Sequence, residues 1–364
     1  PNTDMGPGAY YPGHVPHYAF AQDDGFQFNA VDIALDKPED SSQWSAGYHV
    51  EMMYGDDAVG VPIAYGTYQN EYTASATVRQ AFIRLHTPIA GNGLDWELGV
   101  FDSPIGYESS SDPLDPNYTR SYSYTIEPKT FVGIMGTYKV SDMLSISGGI
   151  ANDEYGYYDS QYNYAVYNEF VPGNSFESEK CYFGSVSLTA PDSMGFLKGA
   201  TLSGGVIHNL NTFSDGADYP QGPTTSLYAG VTLPTPVTQL KVGGSFDYLF
   251  EDNIGAGVPS TGADLWDIAG YATFQASDKL SLNLRAEFYD NRTAGDDAPI
   301  GLYDNNNAEE VTATVQYNLF ANVITRGEFR WDHVEHGEAF GYNNIGDTDR
   351  SNDFLLALNV IYQF

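Results

Sequence analysis

The chain reads as an all-β protein, a single transmembrane up-and-down barrel of about 16 antiparallel strands spanning residues 1–364, and three observations point there. Apolar and polar residues alternate with a period of two in one segment after another. The links between these segments are short and long by turns, as in a barrel with tight periplasmic turns and long outside loops. The composition, 15% aromatic with 29 Tyr and 38 Gly, suits strands, turns and interfacial girdles. No run approaches the roughly 18 apolar residues of a spanning helix. Barrel strands dilute their apolar signal by half, so a hydrophobic content of 42% does not argue for a soluble chain.

Taken in order, the elements begin with residues 9–20, "AYYPGHVPHYAF". Parity asks for an upward strand here, because the short link after the next strand means that the next strand runs downward. Pro12 and Pro16 make a regular ladder strand unfavourable, so residues 1–22 are either a weak first strand or a plug in the lumen. The alternation then predicts strands at 25–36, 44–55, 75–87, 93–101, 129–139, 143–152, 178–189 and 197–209. Seven more follow at 224–233, 238–250, 264–276, 279–290, 308–319, 322–333 and 353–364. In the strand at 93–101, Leu94, Trp96, Leu98 and Val100 oppose Asp95, Glu97 and Gly99. In "KLSLNLRAEF" Leu280, Leu282, Leu284, Ala286 and Phe288 oppose Ser281, Asn283, Arg285 and Glu287. In "EVTATVQYNL" Val311, Ala313, Val315, Tyr317 and Leu319 oppose Thr312, Thr314, Gln316 and Asn318. The last strand, "FLLALNVIYQF", puts Phe354, Leu356, Leu358, Val360, Tyr362 and Phe364 on one purely apolar face. Links such as "KVSDML" and "QASDKL" alternate with "NDEYGYYDSQYNYAVYNEFVPGNSFESE" and "DNRTAGDDAPIGLYDNNNAE". A sandwich has no reason to keep that rhythm.

Charge narrows the partners. With 15 Lys plus Arg against 48 Asp plus Glu, the formal charge is -33, which excludes nucleic acid as a partner and disfavours anionic lipid surfaces, since both need cationic cover. The lone Cys181 makes no internal disulfide. The segment from Pro1 has no basic n-region or apolar h-region, so an export signal is expected to have been removed already.

The segments "FQFNAVDIALDKP" (26–38) and "DPNYTRSYSYTIEPKTFVGIMGTYKVSDMLSISGGIAND" (115–153), with the aromatic terminus, resemble the OmpL-like β-barrel porin family of Gram-negative outer membranes. The most specific part is the run Asn117, Tyr118, Thr119, Arg120, Ser121, Tyr122, followed by Pro128. Lys129 and Thr130 depart from the more apolar or hydroxyl residues common there. The resemblance implies an outer-membrane porin, a passive diffusion channel for small hydrophilic solutes or ions, and names no particular solute. Possible homotrimers and contact with outer-membrane lipid come with that reading. Tyr362 and Phe364 resemble the terminal signal read by the barrel-assembly machinery.

Within such a barrel the connection 102–128 is the candidate constriction loop. Folded inward, Arg120 and Lys129 would face Asp112, Asp115 and Glu127, beside Tyr122, across a narrowed lumen and set up a transverse field. The plainer reading has Arg120 pin the loop to a wall carboxylate. The polar strand faces put Glu51, Asp95, Glu97, Asp247, Asp267, Glu287 and Glu328 on the pore wall with Lys241, Arg285, Arg326 and Arg330. Acids outnumber bases in that set, which predicts a preference for cations.

No cofactor is expected. The acidic tips 304–310 and 343–353 offer oxygen ligands of the kind Ca²⁺ takes but lack EF-hand spacing, so a loop-bound Ca²⁺ is left open and no metal site is assigned. His49, His86, His208, His333 and His336 show no H-x-x-x-H or H-E-x-x-H arrangement. An enzyme is not expected: there is no G-x-S-x-G. A barrel hydrolase and an adhesive or structural barrel binding partners or sugars through the Tyr-rich stretch 155–170 are the competing classes.

Overall fold

The computed structural model describes residues 26–55, 57–58, 75–89, 92–153, 180–210, 223–251, 264–292, 307–336, 340 and 350–364. Its first strands are β1 (Val31–Lys37), β2 (Ser45–Gly55), β3 (Ser75–Thr87), β4 (Leu94–Asp102), β5 (Thr130–Lys139), β6 (Leu144–Ala151), β7 (Cys181–Thr189) and β8 (Thr201–Asn209). Then come β9 (Thr224–Pro234), β10 (Leu240–Glu251), β11 (Asp264–Gln275), β12 (Leu280–Asn291), β13 (Asn307–Phe320), β14 (Val323–Val334) and β15 (Asn352–Tyr362). Each pairs with its sequence neighbours, antiparallel throughout, in one 15-stranded sheet. All 15 described strands fall where the alternation places them. The sixteenth, expected at 9–20, and its alternative as a plug within 1–22 lie outside the described residues.

Parity still speaks for another strand. β1 and β15, the two edges, run in the same direction because an even number of reversals separates them. Antiparallel closure therefore needs one more strand between them.

The two faces of the sheet differ as a lipid-facing wall requires. Leu356 and Leu358 on β15 are 83% and 87% exposed, and Leu282, Leu284, Ile268, Val315 and Phe329 share the outward face. The inward face carries the charges, and many of them are buried: Arg285, Arg330, Asp267 and Asp332 have no exposed surface. No helix among the described residues is long and apolar enough to cross a membrane.

Two register shifts interrupt the ladder, a short one at the end of β13 between Asn318 and Phe320 and one that changes the alternation within β3. Along β3, Thr77 and Arg79 face inward and Val78 outward, but the pairing with β2 slips between Glu51 and Met52. Beyond the slip, Gln80, Phe82, Arg84 and His86 face inward instead. The extra residue reverses the parity of everything after it.

Candidate functional site

Residues 103–129, between β4 and β5, turn to the inward face of the sheet and cross it. Ile105 packs first into an inward-facing apolar cluster with Phe82, Phe101, Phe131, Cys181, Phe183, Ile207 and Tyr228. The wall is cut away to receive the loop. A Cβ at Gly205 on β8 would sit 2.5 Å from the Ile105 side chain, and one at Gly243 on β10 would overlap the Tyr107 hydroxyl. The Tyr107 ring stacks on Tyr271 of β11 with centroids 4.2 Å apart, and its hydroxyl accepts a bond from Thr232 at 3.2 Å.

Beyond Tyr107 the loop is held by ion pairs and by clamps on its backbone. Glu108 pairs with Arg285 of β12 at 2.9 Å. A single 3₁₀ turn, Asp112–Leu114, follows. Its carbonyls at Asp112 and Asp115 accept bonds from Arg326 of β14, at 3.0 and 2.5 Å. Asn117 donates to Thr314 of β13 at 2.7 Å. The Tyr118 and Thr119 N–H groups both donate to the Glu328 carboxylate, at 2.5 and 2.8 Å. Arg285 reaches the carbonyls of Thr119 and Arg120, and Arg330 donates to the Arg120 carbonyl at 2.6 Å. Tyr118 meanwhile packs against Ala357 of β15 and donates to Asn29, just ahead of β1. One loop thus spans from β8 to both edges of the sheet.

The helix α1 (Tyr122–Ile126) closes the crossing. Ser121 caps it, its hydroxyl accepting from the Tyr124 N–H at 3.0 Å. The Tyr122 N–H donates to Glu287 at 2.7 Å and its hydroxyl to Asp332 at 2.9 Å. Its ring stacks on Tyr289 in a buried cluster with Ile126, Leu265, Val334 and Phe340.

The sequence-predicted loop charges are brought together, in an arrangement that departs from both expected ones. Arg120 is 2% exposed and pairs inside the loop, 2.6 Å from Asp112 and 3.1 Å from Asp115. Among the described residues it pairs with no wall carboxylate; the loop is tied to the wall instead by Arg285, Arg326 and Arg330, which donate to its backbone carbonyls. Lys129 pairs with Glu127 at 2.6 Å, its ammonium 3.4 Å above the Tyr124 ring. Burial pushes that ammonium's pKa down, and Glu127 opposes the shift. Burial pushes the Asp115 carboxyl up to about 7 against the pull of Arg120.

The predicted wall set divides in two. Asp247, Asp267, Arg285, Glu287, Arg326, Glu328 and Arg330 face inward and are covered by the loop, none more than 6% exposed. Their expected place as open pore lining is therefore corrected: residues 103–129 cover these charges and leave them almost without exposed surface. Glu51, Asp95 and Glu97 lie on β2 and β4, away from the loop's anchors. Lys241 is exposed near the short-turn end of β10. Sequence reasoning missed Arg79, Glu108, Glu310 and Asp332. Glu310 and Asp332 simply continue the alternation of Thr312–Gln316 and of Arg326–Arg330. Arg79 is hidden by the bulge. It pairs with Glu51 and, at 2.9 Å, with Asp102.

Tyr362 and Phe364 stack at the outer face of the terminus, with Phe364 90% exposed. Of the acidic tips, 307–310 and 350–353 are described and the remainder lies outside. The described Glu310 is a buried partner of Arg285. Among the described residues no group of His, Cys, Asp and Glu is placed to hold a metal ion. The stretch 155–170 lies outside the described residues.

An antiparallel meander with an apolar outer face, a charged inner face and an inward loop strapped to the opposite wall defines an outer-membrane porin barrel. The family described as Putative beta-barrel porin-2, OmpL-like matches residues 9–364, and the chain belongs to it. A sequence comparison with curated proteins gives no match. Solved structures share the fold. OmpTΔL8, a loop-deletion mutant of OmpT from Vibrio cholerae, is 14% identical, with 94% of this chain and 93% of that one covered at a TM-score of 0.57. The outer-membrane channel DcaP of Acinetobacter baumannii is 10% identical over 98% and 93%, at 0.58. The anion-selective porin of Comamonas acidovorans is 12% identical over 92% and 90%, also at 0.58. At such identities the shared property is the fold. Selectivity must be read from this chain's own residues.

Proposed function

We propose that this porin is a passive diffusion channel for small hydrophilic solutes that favours cations, with residues 103–129 as its constriction. The observation that carries this reading is the strap of backbone clamps from Glu328, Arg285, Arg326 and Arg330 to residues 112–120. A loop held by charge-assisted bonds at both faces of its backbone is a fixed narrowing of the lumen. Cation preference is supported by the acidic surplus on the inward strand faces, since a permeating cation gains from such a field. The buried share of that surplus is covered by the loop, so the preference should be moderate and screened by salt, with a Debye length of about 8–10 Å at physiological strength.

The working unit is a homotrimer held in outer-membrane lipid after export and insertion by the barrel-assembly machinery, with Tyr362 and Phe364 as its signal. A solved form of the Vibrio cholerae OmpT is itself a trimer. We read the protein as a channel without catalysis, in keeping with its porin family. Single-channel recording in planar bilayers tests the reading. Discrete steps with a cation-selective reversal potential under a KCl gradient, weakening as salt rises, are expected. Anion selectivity would overturn the preference, and silence from folded protein would overturn the channel.

A further inference from the structure

We infer that ions permeate along the β1–β4 wall, and that Asp36, Asp95, Glu97 and Asp102, rather than the larger charge cluster on β10–β14, set the selectivity. The inference rests on the porin reading and assigns it to particular residues.

Two observations combine. First, the loop turns its charges away from the channel. Glu108, Asp115, Arg120 and Glu127 are spent on the wall or on one another and are almost wholly buried. Its less buried stretch is Ser109, Ser110, Ser111, Asp112, Pro113 and Leu114, and Leu114 is 74% exposed. Asp112, already bound to Arg120, is the one charged group in it. Second, the inward face of β1–β4 carries accessible ions. The side chains of Asp36 and Asp95 on that face are 44% and 48% exposed, and Asp102, at the outer end of β4 where it meets the inward Arg79, is 40% exposed. By contrast, Arg285, Glu287, Glu310, Arg330 and Asp332 have fully buried side chains.

These accessible charges form a column down the wall. Asp102, at the outer end of β4, touches Arg79, which also holds Glu51. Lower down, Asp36 is 2.5 Å from Arg84 and 2.9 Å from His49. Glu97 sits opposite Arg84 in the β3–β4 register, and Asp95 opposite His86, whose Nδ1 lies 2.5 Å from its carboxylate. Arg84 is the one guanidinium in the column with substantial exposure, at 25%. Carboxylates therefore dominate the water-facing side. A cation descending this wall passes from one partly exposed, already paired carboxylate to the next, which favours entry without deep trapping.

The test uses the full-length barrel refolded or purified in detergent and placed in planar bilayers with a KCl gradient. A charge about 4 Å from an ion in water alters its occupancy roughly fivefold. The variant Asp36→Asn/Asp95→Asn/Asp102→Asn should therefore lower the K⁺/Cl⁻ permeability ratio by at least about fivefold. Asp267→Asn, behind α1, should leave it unchanged. Single substitutions Asp95→Cys and Asp267→Cys supply a second readout: a cationic thiol reagent should change the current through the first and leave the second untouched. A shift in selectivity with Asp267→Asn, an unchanged ratio in the triple variant, or labelling of Asp267→Cys would each overturn the inference while the channel itself stands. A wild-type barrel that makes no steps would instead strike at the porin reading.

Discussion

At the scale of single residues, Glu328 shows how one side chain fixes a functional loop. Its two oxygens take the N–H groups of Tyr118 and Thr119 and also the Thr314 hydroxyl, at 2.6 Å. Hydrogen bonds to a buried charge are each worth roughly 1.5–3 kcal/mol, so Glu328→Ala should cost about 3 kcal/mol or more. Thermal unfolding should fall accordingly, and single-channel current should rise as the strap loosens; unchanged values for both would deny the clamp. Asp115 adds a pH dependence. Its carboxyl is held at about 7, above the unfolded value, chiefly by burial. The stabilisation is complete below about pH 4 and is lost as pH rises through the folded value. The loop should therefore be tighter at pH 5 than at pH 8, seen as a higher unfolding midpoint at pH 5, and Asp115→Asn should flatten that difference. Neither role was legible in the sequence. Alternation puts Glu328 and Arg330 on the inner face, but their partners lie 209 and 210 residues away in the chain, and no local pattern encodes that distance. The run from Asn117 to Tyr122 was legible as a family motif, and the structure shows it to be the anchored part of the loop.

At the scale of elements, period-two alternation placed the described strands because each wall faces two different solvents, lipid and lumen, and every strand records that difference. It failed locally in β3, where the bulge at Glu51/Met52 reverses the faces and hides Arg79. It also stopped short in β13 and β14, where Glu310 and Asp332 lie one step beyond the residues read as polar face. The final strand carries its own prediction. Phe364 is almost fully exposed at the end of an apolar stripe and, among the described residues, stacks on Tyr362 alone, so truncating it removes little packing. Phe364→Ala should reduce the amount of assembled barrel in outer-membrane fractions while leaving export unchanged. Normal assembly would confine the ring to a packing role.

At the scale of the whole molecule, the alternation of link lengths fixes which mouth faces outward. Residues 140–143 and 276–279 join β5 to β6 and β11 to β12, whereas β6–β7 and β14–β15 are joined by far longer segments. Proteases added to intact cells should cut within 153–177 or 334–352 and spare 140–143 and 276–279. Cleavage confined to the short links would invert the topology. The barrel's charge is likewise a property of the whole that its parts redistribute: a formal -33 leaves only a modest water-facing surplus, because much of the inner-face acid is consumed in holding the loop.

The strap has a consequence for biogenesis. Residues 103–129 are translated early, yet their anchors, Arg285, Glu328 and Arg330, lie on strands made last. Until those strands are in place the loop has nowhere to seat, and its backbone groups stay in water. Seating is therefore a closing event that depends on contacts of very high sequence separation, which are slow to form. A barrel truncated before β14 would lack Arg326, Glu328 and Arg330 and leave the loop loose in an unobstructed hole. The same contacts that seat the loop thus make its seating a certificate of completion, issued only to a chain inserted to its end.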